Sequence, residues 1–243
     1  MFHLLRLLML FIVILVMSGC ATVITDGDLR SASQFKAFIP IDAMPSPTVE
    51  YTNTQGQTVT TAWSALSNDQ RRGLLPNQTS TMTTYKLDTS GEAKYLTAGV
   101  TGKAGTYRVV MDYALYRSDS LVNASGNHLG SGRIGVGLRI KAQIQTYEAG
   151  IDLGSIIALG FAAKGNKVKG NLEVNCLGIN SPEITAIFPS PSAINETSIQ
   201  NALEALAAIK SKISDTNTSV TPQVIAIRID DSEALEMTPF IVE

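Results

Sequence analysis

An alternation of apolar and polar residues over 133–147 is the feature that most constrains how this chain can fold. Every second residue from Ile134 to Ile144 is apolar, and the residues between them are Gly, Arg, Lys or Gln. Successive side chains of a β-strand point to opposite faces of a sheet, so this period of two indicates a strand with one buried and one polar face. Residues 167–179 repeat the pattern. The two segments predict an antiparallel sheet that packs on a core through one face.

Shorter segments rich in β-branched and aromatic residues predict further strands. These strands cover residues 35–41, 82–87, 94–100, 106–116 and 224–229, and a hairpin is predicted over 48–63 around the turn 53–56. Pro40, Pro45 and Pro47 are expected to end the first strand, because proline cannot donate a hydrogen bond to a neighbouring strand.

Three segments have helical character. Residues 197–213 carry apolar residues three and four positions apart, which predicts an amphipathic helix that packs on the core, with Asn195 or Thr197 as its N-cap. Residues 151–163 are predicted to form a short buried helix or a loop packed against the sheet, and residues 67–73 a turn or a single helical turn.

Together these elements predict a β-rich α+β fold: an antiparallel twisted sheet or sandwich with one packed C-terminal amphipathic helix. Hydrophobic residues make up 44% of the 243 residues, which excludes global disorder. We expect residues 35–243 to form one domain, with a sub-boundary near 118–131 as the alternative. The formal net charge of −2 argues against a non-specific nucleic-acid binder, which needs a basic excess to displace counterions.

The first twenty residues have the pattern of a secretory signal. Arg6 precedes an unbroken apolar run over 7–17, and small residues follow it. This run is shorter than the roughly 20 residues that a bilayer-spanning helix needs. The sequence therefore predicts export. The alternatives for this segment are an uncleaved anchor helix that reaches about Ile24 and an ordinary cleaved signal without lipid.

The four residues Met17-Ser18-Gly19-Cys20 resemble the lipobox of bacterial lipoproteins, in which a Leu-like residue and two small residues precede a cysteine. The resemblance implies that residues 1–19 are a signal peptide, that cleavage occurs before Cys20, and that Cys20 carries fatty acyl chains such as palmitate. Residues 20–34 would then tether the domain. Ala21, rather than Asp, follows the cysteine, which resembles the sorting pattern for the outer membrane.

Two other motifs are expected to be structural. Gly130, Gly132 and Gly135 match the spacing of a dinucleotide-binding loop, but a strand rather than a helix follows them, so we predict a turn, a bulge or close backbone packing and no cofactor. Cys176 falls on the apolar face of its strand and is expected to be an inert core thiol. His128 is the only histidine outside the signal, so we predict no metal site.

Function is expected to lie in binding rather than catalysis. The Gly- and Asn-rich loop Ser118–Ser131 is the best candidate for a recognition surface, because function concentrates on loops held by a rigid scaffold. No catalytic residue is predicted. Hydrolysis by paired carboxylates is the hardest chemistry to exclude, although nothing in their spacing singles out a pair; the candidates are Asp112, Glu148, Asp152 and Glu173.

These observations predict an outer-membrane lipoprotein that faces the periplasm, is bound to the bilayer through acylated Cys20 and has a structural or adaptor role in an envelope assembly. Its expected partner is an envelope protein or a second copy of the chain, and the segment 240–242 could pair with a partner strand. The alternatives are a subunit of an oligomeric pore or secretion channel, suggested by the two alternating strands, and a periplasmic hydrolase.

Overall fold

The computed structural model describes residues 37–89, 93–96, 101–122, 128–180 and 191–229, together with the single positions 182 and 186. The expected signal peptide, the lipidation site Cys20, the tether and the segment 240–242 lie outside the described residues. Within the described part of the chain, no helix has both the length and the apolar character needed to cross a membrane.

The strands and helices follow the sequence patterns closely. The strands are β1 (Ile39–Pro45), β2 (Thr48–Thr52), β3 (Thr58–Ala62), β4 (Asn77–Leu87), β5 (Ala93–Leu96), β6 (Thr101–Gly102), β7 (Gly105–Val122), β8 (His128–Thr146), β9 (Ile151–Asp152), β10 (Val168–Leu177), β11 (Ser192–Ala193) and β12 (Gln223–Ile229). The α-helices are α1 (Asn68–Gly73), α2 (Ile156–Lys164) and α3 (Glu196–Ser214), and a 3-10 turn covers Trp63–Ala65.

An eight-stranded antiparallel sheet built around β8 forms the body of the structure, which confirms the predicted fold class. The strand order is β1-β12-β8-β7-β4-β5, and β10 and β11 continue the sheet beside β8. On one side β8 pairs with β7 along nearly its whole length. On its other side the first half of β8 pairs with β12 and the second half with β10. The hairpin β2–β3, which was predicted, and the short pair β6–β9 lie outside this sheet.

One face of the sheet packs against α2 and α3 and forms the main core. The alternate residues Ile134 to Ile144 of β8 belong to this core, together with Tyr107, Val109 and Tyr113 of β7. Helix α3 contributes a buried stripe whose members are Ile199, Ala202, Ala205, Ile209 and Ile213. The predicted amphipathic helix is thus confirmed, because its apolar spacing and that of β8 meet in one core.

Capping residues define where the helices begin. The Asn195 side chain accepts a hydrogen bond from the Ser198 backbone N–H, and the Ser198 hydroxyl accepts one from the Asn195 backbone N–H. Asn195 is therefore the N-cap of α3, and Thr197 is not. Ser155 caps α2, since its hydroxyl accepts a hydrogen bond from the Ala158 backbone N–H, so the segment 151–163 is a short strand followed by a helix rather than a packed loop.

Two glycines allow β7 and β8 to approach each other closely. A Cβ atom on Gly137 would lie 2.0 Å from the Tyr113 carbonyl oxygen, and one on Gly135 would lie 2.2 Å from the Leu115 carbonyl oxygen. The sequence analysis expected a turn, a bulge or close packing from the glycines around 130–135; for Gly135 the structure shows close packing within a strand.

Two local expectations were wrong. The segment 118–131 is not a loop throughout, because residues 118–122 belong to β7 and residues 128–131 to β8, and the two strands pair up to Val122↔His128. Pro40 does not end the first strand but lies inside β1. Because β1 is an edge strand, it tolerates a residue that lacks a backbone donor.

Candidate functional site

The sheet face opposite the helices, here called the polar face, carries several charged groups that the structure brings together. Strand alternation places Arg133, Arg139 and Lys141 of β8 on this face, and register places Asp112 of β7 directly opposite Arg139. The edge formed by β1 and β12 approaches the same face, since the Lys141 ammonium lies 2.5 Å from an Asp42 carboxylate oxygen.

A buried ion pair lies at the centre of the polar face. Nε and Nη2 of Arg139 donate to the two carboxylate oxygens of Asp112, each at 2.6 Å. Arg139 and Asp112 are only 2% and 4% exposed. The fork geometry of the guanidinium matches the two carboxylate oxygens, which offsets part of the cost of removing both charges from water.

Arg139 also forms hydrogen bonds with the backbone of β1 and β12. Its Nη2 donates to the Ile225 carbonyl oxygen at 2.7 Å, and its Nη1 donates to the Ile41 carbonyl oxygen. Ile225 lies at an irregularity in the pairing of β12 with β8, between Val224 and Ala226. One buried side chain of β8 therefore satisfies backbone acceptors of both β1, the edge strand, and its neighbour β12.

Apolar side chains keep water away from this ion pair. Ala114, Leu177 and Ile225 form a second buried cluster, against which Ala43 packs. Ala114 and Leu177 lie on the polar face by register, because both pair with Gly137. The Arg139–Asp112 pair thus sits in a small dry region rather than in an open cleft.

A cluster of arginine and aromatic side chains, here called the stacking cluster, lies on the same face near the start of β8. The Arg133 guanidinium carbon lies 4.2 Å from the ring centroid of Phe38 and 4.6 Å from that of Tyr116. The guanidinium carbon of Arg228 lies 5.3 Å from the Phe38 centroid, and Arg228 also donates to the Ser131 hydroxyl at 3.3 Å. Aromatic faces attract cations, so the rings hold both guanidinium groups in place.

Two tyrosines form the far part of the polar face. Tyr85 of β4 and Tyr95 of β5 meet edge to face, with ring centroids 6.1 Å apart. Burial raises the pKa of Tyr85 well above its ordinary value, so its phenol stays protonated. Its hydroxyl is buried and lacks a hydrogen-bond partner among the residues that the structure describes.

Three of the four carboxylates considered for hydrolysis are held by other groups. Both oxygens of Asp112 accept from Arg139. Glu148 pairs with Lys167 at 3.0 Å, and Asp152 accepts from the Gly154 backbone N–H at 2.8 Å. Glu173 lies opposite Lys141 in the register of β10 and β8. In the described ranges no group of three or more His, Cys, Asp or Glu residues is arranged to hold a metal ion.

His128 and Cys176 occupy ordinary structural positions. The His128 ring Nδ1 lies 2.8 Å from the Ser120 hydroxyl across the exposed end of the β7–β8 pair. Cys176 lies opposite Leu138 and packs against the main core, as the alternation predicted. Burial raises the pKa of the Cys176 thiol, which favours its protonated form.

The sequence analysis missed the stacking cluster and the Arg139–Asp112 pair. Arg133 and Arg139 occupy polar positions of an alternating strand, and such positions usually face water. One signal was present: Asp112 interrupts the apolar segment 109–115, where an isolated charge requires a partner. The contact between Phe38 and Arg133 joins residues about ninety-five positions apart and left no such signal.

Comparison of the chain with protein-family models, with curated proteins and with solved structures finds no match.

Proposed function

We propose that this chain is a lipid-anchored, non-catalytic protein of the bacterial outer membrane whose β-rich domain acts in the periplasm as a structural or adaptor component of an envelope assembly. The observation that carries the proposal is the sequence Met17-Ser18-Gly19-Cys20 directly after an apolar run. Several acyl chains on one residue anchor a protein durably, because each buried methylene contributes about 0.8 kcal/mol. The partner would be an envelope protein or a second copy of the chain.

The arrangement of charged groups supports a binding role over hydrolysis. A carboxylate that acts as a general acid needs a raised pKa and a free oxygen. Asp112 instead has a bidentate guanidinium partner, and Glu148 has an ammonium partner. A paired-carboxylate hydrolase would require these groups to exchange partners.

The alternating strands that suggested a pore, β8 and β10, use their apolar faces within the domain. The apolar faces of β8 and β10 pack against α2 and α3 in the main core, as shown by Ile140, Leu172 and Ile209. A wall that faced lipid would need those apolar side chains on its outer surface. The alternating strands of this chain are accounted for by the core of the domain.

Lipidation can be tested on the protein itself. We expect mass spectrometry of the membrane-bound protein to show an N-terminus that begins at acylated Cys20, and we expect globomycin to cause accumulation of the uncleaved form. In denaturant, the processed protein should show one thiol that reacts with a disulfide reagent, Cys176, because the Cys20 sulfur is blocked. Two reactive thiols, or an intact leader in a cytosolic protein, would refute the proposal.

The adaptor role needs a separate measurement. Cross-linking in intact cells followed by purification should recover one envelope partner, or a homo-oligomer, with the wild-type chain. A Cys20→Ser variant, which keeps the domain but not the acyl chains, should lose that product because the tether no longer confines the domain to the membrane surface. Identical cross-linked products from both proteins would show that anchoring does not serve the assembly.

A further inference from the structure

We propose that the stacking cluster of Phe38, Tyr116, Arg133 and Arg228 is a binding site for a phosphate group, with Arg133 as the residue that contacts its oxygens. The phosphate would belong to a lipid headgroup or to a soluble phosphate compound. The choice of a phosphate over another oxyanion rests on the proposed lipid anchor, since the chain that comes from Cys20 enters the sheet at this cluster.

The Arg133 guanidinium is partly shielded from water. Aromatic rings lie near it at 4.2 Å and 4.6 Å, so water is excluded from much of its surface. Its Nε is buried and has no hydrogen-bond partner among the described residues. A half-buried cation in this state favours an anion that can accept from the edge of the guanidinium.

Arg133 differs from several other arginines of the domain in its hydrogen-bond partners. Arg139, on the same strand and face, fills its fork with Asp112 and two backbone carbonyl oxygens. Arg71 and Arg72 each donate to three backbone carbonyl oxygens. Arg108 is exposed and solvated. Arg133 differs from these arginines because ring faces hold its guanidinium and its buried Nε has no acceptor among the described residues.

A second guanidinium group, that of Arg228, lies close to Arg133 in the stacking cluster. Arg228 shares the Phe38 ring with Arg133, so two cations approach one small surface. Asp119 of β7 lies on the opposite face, since it is one residue beyond Ser118, which pairs with Arg133. Asp119 also forms an ion pair with Arg117 at 3.5 Å. The Arg133 guanidinium, held by two aromatic rings, suits a phosphate group, because a planar guanidinium donates to two phosphate oxygens at once.

The stacking cluster includes a residue that lies close in sequence to the expected lipid anchor. Phe38 is the second described residue, and it immediately precedes β1. Residues 21–36 separate Ala37 from Cys20, a stretch that can span at most about 60 Å. A domain anchored at Cys20 therefore keeps this cluster within reach of the phosphate groups of the membrane to which it is attached.

Phosphate binding can be measured by titrating the processed full-length protein, in a nonionic detergent and a phosphate-free buffer, with inorganic phosphate. We expect saturable binding by calorimetry. Arg133→Gln should weaken it at least tenfold, and Arg133→Lys should weaken it less, since lysine keeps the charge but not the fork. Arg108→Gln removes an exposed arginine of β7 on the same face of the sheet and should leave the affinity within twofold of wild type.

Three outcomes would overturn the proposal: no saturable phosphate binding by the wild-type protein, an equal loss in the Arg133→Gln and Arg108→Gln variants, or an unchanged affinity in Arg133→Gln. If Arg133→Gln fails to fold, as judged by circular dichroism, the Arg133→Lys variant decides, because an affinity equal to wild type would show that the fork is not used.

Two further titrations identify the source of the phosphate. A short-chain phosphatidylglycerol below its critical micelle concentration presents a lipid diester, and glycerol 3-phosphate presents a soluble monoester. Tighter binding of either one supports the site and names its source, whereas binding of neither overturns it. An N-terminus without acyl chains would refute the proposed anchor but leave Arg133-dependent phosphate binding intact. A correctly lipidated protein that binds no phosphate would refute this inference alone.

Discussion

Replacing Arg139 with methionine should destabilise the domain more than any exposed charge change. The variant would leave the Asp112 carboxylate, 4% exposed, without its cation. It would also leave the carbonyl oxygens of Ile41 and Ile225 without this donor. Removing one partner of a buried ion pair typically costs about 3–5 kcal/mol. For a domain of this size each kcal/mol lowers the unfolding midpoint by about 2–4 °C, so a decrease of about 6–20 °C is expected.

Urea unfolding followed by circular dichroism measures this change, and a double-mutant cycle separates the ion pair from the packing. Arg139→Met combined with Asp112→Leu removes both charges, so the double variant should recover much of the stability that either single variant loses. Lys141→Gln serves as a matched control on the same strand face. Its partner Asp42 is 91% exposed, so the loss should be below about 1 kcal/mol.

Two results would refute this reasoning. Arg139→Met could unfold within about 1 kcal/mol of the wild-type protein, which would mean that Asp112 is not desolvated in the folded state. Alternatively, the double variant could lose the sum of the two single losses, which would mean that the two side chains are not coupled.

Gly137, Cys176 and Lys141 provide three more tests. A Cβ on Gly137 would lie 2.0 Å from a carbonyl oxygen of β7, so Gly137→Ala should cost at least about 2 kcal/mol in urea unfolding. Gly73→Ala, whose Cβ meets no atom within 4 Å, should change stability by less than about 1 kcal/mol, and equal effects would contradict the close approach. Because burial raises the pKa of the Cys176 thiol, iodoacetamide at neutral to mildly alkaline pH should react at least tenfold more slowly with the folded than with the unfolded protein; equal rates would count against burial. The hydrogen bond and charge of Lys141 lower the pKa of Asp42 in the folded state. This contribution is therefore present above the unfolded carboxyl pKa of about 4 and is lost as the pH falls through the folded pKa. The stability difference between wild type and Lys141→Gln should shrink toward zero on acidification, and a difference independent of pH would contradict the ion pair.

Local patterns were sufficient to predict the long strands and the amphipathic helix of the fold. The alternation over 133–147 and 167–179 corresponds to β8 and β10, and the apolar spacing over 197–213 corresponds to α3. These predictions succeed because the side-chain period of a strand or a helix is a property of neighbouring residues. Element ends were less accurate: the polar segment 118–131 was expected to be a loop, although residues 118–122 and 128–131 belong to the paired strands β7 and β8.

The candidate site depends on contacts that local patterns do not contain. Phe38, Tyr116 and Arg133 come from three different strands or their approaches, and only the sheet order brings them together. The partner of Asp112 was equally undetermined, because any of several positive residues on neighbouring strands could have faced it. The strand register selects Arg139.

The sequence by itself predicted the long alternating strands, their apolar side and the amphipathic helix, since each of these depends on residues adjacent or nearly adjacent in the chain. Only the tertiary structure decided which arginine has a carboxylate partner and which is held between aromatic rings. The physical reason is that burial and charge pairing depend on distances across the sheet, and those distances follow from how β1 and β12 fold back beside β8.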